Sequence, residues 1–116
     1  MAFTRVQIDT QRITDWDSFH DVFAEAFGFP HFYGRNMNAW IDCLTCIDDP
    51  EAGMSRLHAP AGGVIALELL DVGNFAKRCP ELYEAIIECS ASVNYRRGNH
   101  DHQPDLGPVI ALSFYK

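Results

Sequence analysis

Two short apolar runs, Val64–Leu70 (VIALELL) and Val109–Phe114 (VIALSF), constrain the fold of this chain more than any other feature. Runs that are apolar nearly throughout, and not at alternate positions, read as strands buried on both faces, the situation of a parallel sheet wrapped by helices. The first follows a turn-rich loop, Ala59-Pro60-Ala61-Gly62-Gly63, and the second follows the polar segment Arg97–Pro108. A third strand is expected at Phe3–Ile8, where Phe3, Val6 and Ile8 give a rough alternation.

Between the strands the spacing turns helical. Trp16, Phe19, Phe23, Ala26 and Phe27 recur on one face, with Thr14 placed as N-cap, Asp17 three residues on, and Gly28 and Pro30 as the stop. A second helix, with Asn36 in the capping position, is expected from about Met37 to Cys46. Its Met37, Trp40, Ile41, Leu44 and Ile47 fall on one side, and Asn38, Asp42, Thr45 and Cys46 on the other. A helical stretch from Asn74 through Tyr95, interrupted at Pro80, would bury Leu82, Ile86, Cys89 and Val93. The order strand, helix, helix, strand, helix, strand predicts an α/β fold with a small three-stranded, mostly parallel sheet packed with helices. The 116 residues form one domain, 1–116, without repeats or low-complexity tracts.

Charge narrows the function. The formal net charge is −7, and the only tight basic pairs are Lys77–Arg78 and Arg96–Arg97, so direct binding of nucleic acid is not expected. From Asp15 to Glu51 the chain carries eight carboxylates (Asp15, Asp17, Asp21, Glu25, Asp42, Asp48, Asp49, Glu51) against one basic residue, Arg35. Such a surface fits a basic protein partner, typically one that itself binds phosphate. His20 and His31 lie near this acidic surface and are candidates for the interface. No run approaches the roughly 20 apolar residues of a membrane span, and the start MAFTRVQIDT has no signal-like apolar stretch. A cytoplasmic location is expected, with Cys43, Cys46, Cys79 and Cys89 as reduced thiols.

Phe32-Tyr33-Gly34-Arg35-Asn36, followed directly by Asn38-Ala39-Trp40-Ile41-Asp42-Cys43-Leu44-Thr45, resembles the barstar family, intracellular inhibitors of secreted bacterial ribonucleases. The resemblance is close over roughly Ile13–Thr45 and follows element order beyond. It implies a barstar-like fold and an inhibitor, not an enzyme, acting without cofactor as an immunity-type protein. Its partner would be a basic ribonuclease or related nuclease toxin, whose phosphate-binding cleft it blocks with carboxylates.

Carried over by position, Asp42 matches the principal phosphate-mimicking carboxylate and Asn38 a second acidic contact, here neutral. Phe32 matches an aromatic contact, Ile41 stands where an aromatic is common, and Thr45 and Cys46 extend the same surface. Glu88 matches a further acidic contact on the C-terminal helix. Arg35 stands where members can be acidic, and with Asn38 it implies a cognate partner of its own.

Two other readings stay open. One is an interaction module on the same scaffold with a non-nuclease partner. The other is a small metal- or thiol-dependent enzyme using Cys43 with Cys46, or His100, Asp101, His102 and Asp105. Cys43 and Cys46 fall late in their helix, where the dipole raises a thiol pKa.

Overall fold

The computed structural model describes residues 2–98 and 106–116. Three strands, β1 (Phe3–Asp9), β2 (Val64–Leu70) and β3 (Ile110–Phe114), form a sheet in the order β1-β2-β3. Both pairings are parallel, in registers that place Phe3 beside Val64 and Ile65 beside Ile110. The sheet is therefore parallel throughout, and the most apolar strand takes the centre.

Only one sheet face is fully covered. Val6, Ile8, Ile65, Leu67, Leu69 and Ile110 point into the core against the helices. The alternate positions follow the pleat to the opposite side, where Arg5, Gln7 and Ala111 are exposed. Double-sided burial, expected from the apolar runs, holds for one buried polar side chain on that second face. Glu68, 4% exposed, accepts Arg5 Nε and Nη2, each at 3.1 Å, Gln7 Nε2 at 3.1 Å and the Tyr115 hydroxyl at 3.0 Å. The Arg5 guanidinium holds the Glu68 carboxyl below its ordinary value.

Helix α1 (Trp16–Phe27) is capped by Asp15, one residue later than expected. Asp15 Oδ1 accepts from the Ser18 amide at 2.8 Å, and the Ser18 hydroxyl accepts from the Asp15 amide at 3.1 Å, so a serine closes the capping box. Gly28 ends the helix at φ +66°, and a Cβ there would stand 2.7 Å from Arg56 Cβ. Glycine is required at this position by both backbone and neighbour. Phe19, Phe23 and Phe27 are fully buried, and Phe23 meets Trp40 edge-on with centroids 5.6 Å apart.

Helix α2 (Met37–Thr45) ends one residue short of the expected boundary, with Cys46 as its C-cap. Beyond β2 the expected single interrupted stretch is two helices, α3 (Val72–Arg78) and α4 (Pro80–Arg96). Pro80 starts the second, at the first turn where its missing amide costs nothing. Leu82, Ile86 and Val93 of α4 are buried as expected, Cys89 is half-buried, and Ser90 takes a fully inward position.

Candidate functional site

The site is built on the turn from Gly28 to Asn36 and on the exposed face of α2. Asn36 caps α2, its Oδ1 accepting from the Ala39 amide at 2.8 Å. The turn before it is pinned to α1 twice. Tyr33 packs on Phe29 with centroids 4.7 Å apart, and its hydroxyl lies 2.6 Å from His20 Nδ1. Arg35, at a left-handed φ of 53°, reaches Asp21 at 2.9 Å and Asp17 at 3.5 Å. With Tyr33 and Arg35 held down, Phe32 is left outward, 64% exposed.

Beside that phenyl lies a pocket of about 200 Å³ lined by Phe32, Tyr33, Gly34, Ala39, Asp42, Cys43 and Met54. An apolar recess with one carboxylate suits a cationic side chain whose stem is apolar. Burial pushes the Tyr33 phenol well above its ordinary value, so this wall stays neutral. Burial, with Asp42 and then Cys46 beside it, pushes the Cys43 thiol up to about 11. A thiol held that high is protonated near neutral pH and is a poor nucleophile or metal ligand. The Cys46 thiol is raised too, by burial first and then by Asp49. Both shifts run against the thiol-enzyme reading.

The remaining residues expected at the site divide. Asn38 and Asp42 are exposed on α2, and Thr45 and the C-cap Cys46 are half-buried at its end. The Thr45 hydroxyl donates to the Ile41 carbonyl at 2.6 Å, so its proton is committed within the helix. Ile41, expected as a contact, is only 9% exposed and sits in the core cluster. It shares the apolar stripe with Met37, Trp40 and Leu44, and the helical period decides its side. Glu88 is exposed on α4, two turns before Arg96 and so about 12 Å from it along the axis. The loop residues His100, Asp101, His102 and Asp105 lie outside the described residues. Among the described residues no group of three or more His, Cys, Asp or Glu side chains could hold a metal.

Two arginines missing from the sequence expectation shape the site. Arg96 Nη1 donates to Asp42 Oδ1 at 2.5 Å, with the two side chains 50% and 57% exposed. Arg97 is 3% exposed and binds the Asp48 carboxylate through both terminal nitrogens, at 3.0 and 2.8 Å. It also donates to the carbonyls of Thr45 at 2.8 Å and Gly107 at 2.9 Å. Its charge thus sits at the C-terminal end of α2 and ties it to α4. The sequence signal for both was the Arg96–Arg97 pair alone, which does not say which arginine is buried.

The acidic region is largely self-paired. Asp17 and Asp21 meet Arg35, Glu25 meets Arg12 at 2.7 Å, Asp42 meets Arg96 and Asp48 meets Arg97. Apart from the buried Asp48–Arg97 pair, these exposed pairs contribute only about 0–1 kcal/mol each, so a partner can exchange them cheaply. No helix among the described residues is long and apolar enough to cross a membrane.

Comparison with known proteins agrees with this architecture. The family described as Barstar (barnase inhibitor) matches residues 3–106. No curated protein matches the chain. A match over nearly the whole length, on a parallel three-stranded α/β fold with the expected turn-and-helix motif, places the chain in the Barstar family.

Proposed function

We propose that this protein blocks the active site of a basic ribonuclease or related nuclease toxin by seating α2 and the preceding turn in its phosphate-binding cleft. The family is one of inhibitors, not enzymes. The observation that carries the reading is the pocket beside Asp42, where an exposed phenyl of the turn and a carboxylate of α2 flank an apolar recess. Asp42 supplies the anion that replaces a phosphate, and Phe32 packs on the partner's surface. Asn38, Thr45 and Cys46 fill the contact around them, with Glu88 at its edge. A carboxylate desolvated among arginine, lysine or histidine gains charge-assisted hydrogen bonds and can dominate such an interface. Opposite net charges would also speed the encounter.

The test is a calorimetric titration of wild type and Asp42→Ala into a panel of basic microbial ribonucleases. One-to-one binding that Asp42→Ala weakens by about 2 kcal/mol or more supports the reading. Binding untouched by Asp42→Ala puts the contact on another surface. Absence of binding to every ribonuclease favours the interaction module with a non-nuclease partner.

A further inference from the structure

Asp42 meets any partner already paired. Its Oδ1 accepts from Arg96 Nη1, and both side chains remain half exposed, so the pair lies where an incoming surface would land. Arg96 arrives from α4, on the residue next to buried Arg97, whose bonds fix that end of the helix against α2. Arg35, the cation of the turn before α2, is turned onto Asp17 and Asp21. Glu88, two turns away along α4, is too distant to draw Arg96 off Asp42.

We propose that Arg96 is a built-in competitor for Asp42 and, through it, the residue that selects the partner. The site accepts a surface that offers a carboxylate to Arg96 beside a cation for Asp42, and it disfavours a cleft lined by cations alone. The selection rests on the ribonuclease reading above; the competition does not.

The argument is one of charge exchange. A purely cationic cleft must strip Arg96 from Asp42 and then face Arg96 across the interface as a like charge. A cleft that also holds a carboxylate takes both members at once, turning one intramolecular pair into two intermolecular ones. A ribonuclease that moves a proton with a glutamate carries such a carboxylate among its phosphate-binding cations.

Two measurements on the intact protein test this. First, methylguanidinium is titrated into wild type, Arg96→Gln and Arg96→Lys, followed by NMR shifts at Asp42. Arg96→Gln should saturate at a several-fold lower concentration, while Arg96→Lys stays near wild type. Superimposable curves for wild type and Arg96→Gln would overturn the competition.

Second, affinities of wild type and Arg96→Gln are compared against a microbial ribonuclease with a glutamate general base and against its glutamate-to-glutamine variant. Arg96→Gln should bind the glutamate form about tenfold more weakly and the glutamine form no more weakly than wild type. The same loss, or the same gain, on both forms would overturn the selection, since a merely structural Arg96 acts equally on each. If neither inhibitor form binds either ribonuclease, the ribonuclease reading and the selection fall together, and the methylguanidinium result alone decides the competition.

Discussion

Behind the aromatic wall of the site sits a buried imidazole. His20 is 4% exposed, stacks on Trp16 at 5.9 Å and contacts the Tyr33 hydroxyl. Burial lowers its pKa below the ordinary 6.5 and Arg35 adds to the effect, while Asp17 and Asp21 oppose it. The unfolded chain then takes up a proton that the folded one refuses. Stability is intact above about 6.5 and falls as the pH drops from there toward the lower folded value. Urea denaturation at pH 7 and at pH 5.5 should show this decline, and His20→Gln should reduce it. A decline of equal size in His20→Gln would assign it to other groups. The sequence offers His20 as an interface candidate beside the acidic surface, whereas the structure buries it. Its inward direction comes from α1, because it precedes Phe23 by three residues and joins the Phe19 side of the helix. By contrast Tyr33, named in the sequence only as part of the motif, packs on Phe29 and ties the turn to His20.

At the scale of elements, α4 carries two opposite lessons. Arg97→Ala leaves Asp48 and the carbonyls at the end of α2 without their cation, and removal of one partner of a buried pair costs about 3 kcal/mol. Chemical denaturation should register that loss, and a change below about 1 kcal/mol would mean that the arginine is replaceable by water. Ser90 is the reverse case. Its hydroxyl is buried without a hydrogen-bond partner, so Ser90→Ala should raise stability by about 1 kcal/mol, through removal of an unsatisfied group and better helix propensity. Destabilisation by Ser90→Ala would reveal a hydrogen bond that the structure lacks. The elements themselves were largely readable, because period and punctuation agree in Phe19–Phe23–Phe27, in Asn36 before α2 and in Pro80. A boundary slipped at α1, where the cap is Asp15, the residue after the expected Thr14. Ile41 shows the limit of positional resemblance: the resemblance implied a partner contact, yet its place in the 3.6-residue period puts it in the core with Trp40 and Leu44.

For the whole molecule, the question is how a net charge of −7 is displayed. Counting carboxylates along the chain implied a bare acidic face, whereas folding brings Arg12, Arg35, Arg96 and Arg97 onto five of those groups. Those pairings join residues far apart in sequence, Arg96 to Asp42 above all, and no local pattern encodes them. The overall field remains negative, so association with a basic partner should slow by about tenfold or more between low and high salt, with dissociation changing less. Stopped-flow rates over that range check this, and a salt-independent association rate would argue against steering. The central claim is that the α2 face covers a phosphate-binding active site. Its most direct test is inhibition of a bound ribonuclease at increasing concentrations of a competing mononucleotide. A mononucleotide that raises the apparent inhibition constant in proportion to its own occupancy is the result predicted here. An inhibition constant that does not move as the cleft fills would contradict the claim and place the contact outside the active site.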